Sequence, residues 1–366
     1  MCDNYVFFDR VDTKAIKGIA IALMLFHHLC FFNDRLPIHF AFKDSKIIFL
    51  SSFANFCVAL FLFMAGYGVW HKMIQGGNIL DNIRNLLISF WKVFIIYIPI
   101  GFFFFGNQNK YATVEYISSV FSDFNINQLI TNFIAWDNSY NYEWWFMRMY
   151  IISIVLGAIY LRYTKSINDI YIEIGIMLCL QLTCFILFSD KFNESNPELL
   201  SNSIIYKMLY DMKWSKVFPG VFMLGILCAK YNLILKLLDY NKNVCKNKVE
   251  EFLLAIIILT FIICFRLNIG RKVDGLITPL FIVAAKEIYD FIPVLKKGLT
   301  YVGRYSTSMW LIHSFYIYYF GLFRNIVYLT HYAIIDYVIL FTMTLASSIM
   351  IDYFWNRVFK LRQHIK

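Results

Sequence analysis

Apolar runs near twenty residues long recur along the whole chain, separated by polar stretches that hold most of the charge. A run of that length crosses bilayer hydrocarbon as an α-helix, because a helix satisfies its own backbone polar groups. Ten spans are expected, over roughly 15–32, 49–70, 86–105, 143–161, 170–188, 214–231, 251–267, 275–294, 305–323 and 335–355. The pattern predicts an all-α polytopic membrane protein of about ten transmembrane helices. Residues 1–366 are expected to form a single integral-membrane domain with no appended soluble domain. Lys286, Glu287 and Asp290 interrupt the second half of the eighth span. It is expected to end early and continue as an amphipathic helix, or to neutralise Lys286 with Asp290 at i,i+4.

Composition agrees with this pattern. Of 366 residues, 60% are hydrophobic and only 16% charged, and the mean hydropathy is +0.58, whereas soluble domains are nearer half apolar and a quarter charged. The net charge of +10 is not a nucleic-acid signal, because the basic residues sit between apolar runs, where they set topology. With both termini on one side, that side holds nineteen Lys and Arg and the other eleven, so both termini are expected to be cytoplasmic. No small-residue cleavage site follows the first run, which is expected to stay as a membrane helix. The eight cysteines are scattered, mostly inside spans, without metal-ligand spacing, and read as small packing residues.

Chemistry concentrates on the first span, Lys14 to Phe32, KAIKGIAIALMLFHHLCFF. An ionisable group inside a span costs several kcal/mol and marks a functional site by default. Lys17 and His28 are eleven residues apart, close to three helical turns, so they share a face about 16 Å apart along the axis. His27 points about 100° away from that face. This places a cation at the cytoplasmic end and an imidazole near the middle of the bilayer. In a low dielectric an imidazole stays neutral, the form needed by a general base or by a nucleophile that carries a group. From position alone, a histidine hydrogen-bonded to a neighbouring helix for packing is an equal alternative.

Other groups are candidates to converge on it. FLFMAGY closes the second span with a glycine that permits close helix approach and Tyr67 as a donor. WWFMRMY opens the fourth with Trp144, Trp145 and Arg148; an aromatic belt accounts for the tryptophans without any function. Arg148 needs an anionic partner, for which Asp137 or Glu143 is available. SMWLIH, beginning at Ser308, puts a second histidine, His313, inside the ninth span. His39, His71, His331 and His364 are expected to be ordinary loop or tail residues. Lys17, Arg84 and Arg304 at cytoplasmic helix ends, with Lys92 deeper, form a cationic set suited to phosphates or equally to lipid headgroups.

At these residues the sequence resembles the acyltransferase-3 membrane proteins, O-acyltransferases of bacterial surface glycans and similar acceptors. The family's basic residue, ten residues and a histidine are matched by Lys17 to His28. Its FFxxSGY-like run resembles FLFMAGYGV, with Ala65 for the serine. Its WF start to the fourth span resembles Trp145-Phe146, and its late S-x-x-W/Y-L-x-H run resembles SMWLIH. The family often has two arginines three apart at the third span; here Arg84 is followed at that spacing by Leu87, with Lys92 further on.

The resemblance implies a cytoplasmic acyl-CoA donor, most simply acetyl-CoA, with no metal. It implies a hydroxyl acceptor on a cell-surface polysaccharide or its lipid-linked precursor. It implies residence in a bacterial inner or plasma membrane, in contact with lipids, and a separate extracytoplasmic partner as one way to finish the transfer. His28 and His313 are then the catalytic candidates. Lys17, Arg84, Lys92 and Arg304 would hold CoA phosphates, and Tyr67, Trp145, Arg148 and Ser308 would line the cavity. The competing class is a proton-coupled transporter or flippase for a lipid-linked glycan, with the histidines as a proton relay. Transporters often show related halves and broken helices, and the sequence pattern shows neither.

Overall fold

A computed structural model describes residues 8–106, 120–187 and 218–364, and no strand occurs among them. In chain order the helices are α1 (Arg10–Cys30), α2 (Ser45–Ala54), α3 (Cys57–Ile74), α4 (Leu80–Ile100), α5 (Ile126–Phe133), α6 (Trp145–Thr164) and α7 (Ile170–Leu187). They continue with α8 (Phe218–Lys230), α9 (Leu233–Val244), α10 (Lys248–Ile269), α11 (Asp274–Phe291), α12 (Pro293–Ser314), α13 (Gly321–Val327) and α14 (Ala333–His364). Each expected span falls on one or more of these. Among the described residues, six helical stretches are long and apolar enough to cross a membrane: Arg10–Cys30, Ser45–Ile74, Leu80–Phe105, Tyr142–Thr164, Lys248–Ile269 and Ala333–Phe359. The protein is thus an all-α polytopic membrane protein. The stretch between the fifth and sixth expected spans, and the first residues of the sixth, lie outside the described residues.

Local chemistry sets the helix ends. Asp9 caps α1, its Oδ1 accepting from the Val11 and Asp12 N–H groups at 2.7 and 2.9 Å, while Asp12 Oδ2 accepts from the Asp9 N–H at 3.1 Å. The helix therefore starts at Arg10 and ends at Cys30, so His27 and His28 lie in its last turn rather than midway along it. That start lies ahead of the expected one at residue 15, because residues 10–13 are largely polar and do not read as part of the apolar run. Pro99 removes one helical donor near the end of α4, which continues as a π-helical turn over Gly101–Phe105. The ninth span differs most from expectation. Only Ile292 separates α11 from α12, and a second π-helical turn, Phe315–Tyr319, follows α12 before the chain breaks at Phe320. One break was not visible in the sequence: α8 and α9 meet at 67°, with Asn232 in the left-handed region at φ 52°.

The chain forms two compact units. The first comprises Met1–Ala20, Phe56–Ile83 and Phe146–Tyr301; the second comprises Ile21–Asn55, Arg84–Trp145 and Val302–Lys366. Within the first, α3 and α8 touch backbone to backbone. A Cβ at Gly66 would collide with the Phe222 carbonyl, and one at Gly225 with the Phe63 carbonyl. Ala65, Val69, Ile154, Leu161, Phe222 and Ile226 pack around that crossing.

Several buried charges inside this unit are paired. Arg266 forks onto Asp274, Nε to Oδ1 at 2.6 Å and Nη2 to Oδ2 at 3.0 Å. Glu173, fully buried, takes Lys230 at 2.9 Å and the hydroxyls of Tyr160 and Tyr231 at 2.7 and 2.6 Å. Lys286 meets Asp290 at 2.7 Å, the i,i+4 contact expected from the sequence. Asp12 and Lys296 complete that cluster, each within 3.1 Å of an opposite charge. The second unit is knit by aromatic and hydroxyl contacts, among them Tyr97 to Tyr316 and Tyr316 to Ser347, both at 2.6 Å.

Candidate active site

The last turn of α1 presents two histidines with different surroundings. His27 is satisfied at both nitrogens. Its Nδ1 lies 2.8 Å from the Ser51 carbonyl, which can only accept, so Nδ1 carries the proton. Asn55 Nδ2 then donates to Nε2 at 3.1 Å. His27 is a brace between α1 and α2, in the second unit.

His28 is the other kind. Its Nε2 faces Glu143 Oε2 at 3.6 Å, too long for a hydrogen bond but close enough for strong electrostatic contact. Its Nδ1 is buried and has no hydrogen-bond partner. Arg35 Nη1 binds the other oxygen of Glu143 at 2.5 Å, and the Arg35 guanidinium lies 3.9 Å over the Phe32 ring. The carboxylate favours a proton on His28 Nε2, which leaves the Nδ1 lone pair open.

His313 stands against His28, with ring centroids 4.7 Å apart in an edge-on arrangement. It is fully buried. Its Nδ1 donates to the Trp310 carbonyl at 2.6 Å, so its orphaned Nε2 also offers a lone pair. The π-helical turn after α12 holds the neighbourhood together. Tyr318 donates to the His28 carbonyl at 2.8 Å, and the Tyr142 N–H donates to the Tyr319 hydroxyl at 2.9 Å. Asn141 caps the short 3-10 turn Tyr142–Trp144 that carries Glu143. Its Oδ1 accepts from the Glu143 N–H at 3.1 Å and from Ser314 Oγ at 2.9 Å. Two open imidazole lone pairs beside a buried carboxylate can take a proton from a hydroxyl.

The remaining candidates divide. His28 and His313 meet. Ser308 is buried on α12 and Trp145 half-buried at the start of α6. It is the neighbouring Trp144 whose indole reaches across, donating to the Leu311 carbonyl at 3.0 Å. Lys92 is engaged by Asp352 at 3.9 Å, and Arg84 and Arg304 are exposed. Lys17, Tyr67 and Arg148 belong to the first unit. There Lys17 is half-buried, with no ion pair among the described residues, and the Tyr67 ring packs on Phe8 and His71 at 5.2 and 4.7 Å. His71 was expected to be a loop residue; it lies instead in the last turn of α3, against Tyr67, with Nε2 buried. Glu143, available to Arg148 by sequence, is taken by Arg35 and His28. Arg35 and Asn141 were missed. Their only sequence signal was position, Arg35 seven residues past His28 and Asn141 just ahead of the tryptophan pair.

In comparisons with known proteins, residues 10–353 match the family model described as an acyltransferase domain, that of the acyltransferase-3 proteins. No match was found among curated proteins or solved structures.

Proposed function

The chain belongs to the acyltransferase-3 family, and we propose that it moves an acyl group, most simply acetyl, from acyl-CoA to a hydroxyl of a cell-surface polysaccharide or its lipid-linked precursor. The observation that carries this reading is the His28 imidazole, set between Glu143 and His313 with Nδ1 open. In this reading His28 Nδ1 takes the proton of the acceptor hydroxyl as that oxygen attacks the thioester carbon. Glu143 steadies the imidazolium that forms, as a carboxylate behind a catalytic histidine does. His313 Nε2 accepts a second hydrogen bond from the acceptor.

The CoA phosphates are assigned to Lys17 and Arg84 from the family resemblance, with Lys92 and Arg304 as further contacts. Of these, Lys92 already has a carboxylate neighbour. The proposed setting is a bacterial inner membrane with both termini cytoplasmic, with a separate extracytoplasmic protein as an optional last carrier.

Purified protein given acyl-CoA and envelope glycan should release free CoA thiol in step with ester formation. Glycan-dependent movement of protons with no ester formed would sink the reading in favour of transport.

A further inference from the structure

Three buried polar atoms, on His28 and on residues linked to it through Glu143 and Ser314 or by ring contact, lack a partner: His28 Nδ1, His313 Nε2 and Asn141 Nδ2. A native interior leaves very few such groups unpaired, and a cluster of them asks for a ligand. Two of the three are acceptors by the tautomer argument above. The third is a donor. The Asn141 amide cannot be turned the other way, because the backbone N–H of Glu143 and the hydroxyl of Ser314 both fall on Oδ1. Asn141 is fully buried. It is tied directly to Glu143, which faces His28, and to Ser314, the residue after His313. A buried amide donor without an acceptor is destabilising, so the fold retains an expense that bound substrate would relieve.

We infer that Asn141 Nδ2 is the donor to the thioester carbonyl oxygen, and that it stabilises the oxyanion formed there; this rests on the acyl-transfer reading above. The acceptor hydroxyl gives its proton to His28 Nδ1 while its oxygen bonds to the thioester carbon. The electron pair of the C=O bond moves onto the carbonyl oxygen, which takes the Asn141 N–H. The pair returns, the C–S bond breaks, and the His28 proton passes to the departing thiolate, leaving ester and CoA thiol. Asn141 also fixes Glu143 through its cap, so one side chain holds both the oxyanion and the base's support.

Two substitutions separate these duties, because Asp and Ser are both good caps. Asn141→Asp keeps an oxygen for the Glu143 N–H and loses the amide donor, and Asn141→Ser keeps a small cap. For each, kcat and the KM for acyl-CoA are measured on folded protein, checked by thermal unfolding against wild type. The expected result is a loss of about 10²–10³ in kcat for both variants, with KM for acyl-CoA within about threefold. If both retain kcat within about threefold while wild type turns over, Asn141 is only a cap and the inference falls. A wild type that forms no ester overturns the acyl-transfer reading itself and the inference with it.

Discussion

Replacing Glu143 by Gln removes a charge from the face of His28 while keeping the side chain's shape. Glu143 Oε2 lies 3.6 Å from His28 Nε2. An imidazolium and a carboxylate at that separation attract by roughly 4–5 kcal/mol at an effective dielectric of about 20. The Arg35 guanidinium on the other oxygen, at 2.5 Å, opposes a protonated His28 and cancels a good part of this. A net loss of roughly 2 kcal/mol in the transition state remains, about thirtyfold in kcat. The substrate ground state holds a neutral imidazole, so KM for acyl-CoA should stay within about twofold. The assay is steady-state CoA release by purified protein for wild type, Glu143→Gln, Arg35→Gln and the double variant. Because the two residues act on His28 through one carboxylate, the double variant should be no slower than Glu143→Gln alone. A Glu143→Gln enzyme with wild-type kcat, or a double variant slower than Glu143→Gln alone, would refute the idea that Glu143 supports the histidine and that Arg35 acts through that carboxylate.

Other expectations follow from the same contacts. His27→Ala should lower thermal stability by about 1–3 kcal/mol, because it orphans the Ser51 carbonyl and the Asn55 amide, yet leave measurable transfer in the protein that stays folded; complete loss of turnover with unchanged stability would contradict the brace assignment. Lys230→Met should destabilise by about 3–5 kcal/mol, since it strands the buried Glu173 carboxylate, and a Glu173→Gln, Lys230→Met double variant should recover part of that loss in thermal unfolding. Gly66→Val should prevent normal packing of α3 on α8, where a Cβ already meets the Phe222 carbonyl, and is checked by yield and monodispersity in detergent. Arg84→Gln should raise KM for acyl-CoA several-fold with kcat little changed, measured against a CoA-truncated acyl thioester whose KM should not move.

The sequence shows those features that a repeated pattern encodes. Apolar runs mark the helices because a bilayer admits few other backbone arrangements. His28 and His313 stand out because ionisable groups are costly in such runs, and the structure sets their rings 4.7 Å apart. Arg35, Asn141 and Glu143 were not legible as a set, because they come from polar connections and no periodicity reports which of those fold together. Glu143 shows the difficulty: a nearby arginine in sequence, Arg148, was the obvious partner, and Arg35, 108 residues away, is the actual one. His27 and His28 are adjacent, and although their helical faces set them apart in sequence, it is the Ser51 and Asn55 contacts that identify His27 as a brace. The 67° turn between α8 and α9 was hidden for a similar reason, since Asn232 is a single residue in the left-handed region between two ordinary helical patterns.

In the proposed reaction, acyl transfer depends on His28. The most direct test of that dependence is radiolabelled acetyl-CoA supplied to membranes that hold matched amounts of wild type, His28→Ala or His27→Ala, with label counted in envelope glycan. Label should appear with wild type, persist at a reduced level with His27→Ala and vanish with His28→Ala. Equal label with wild type and His28→Ala would contradict the account.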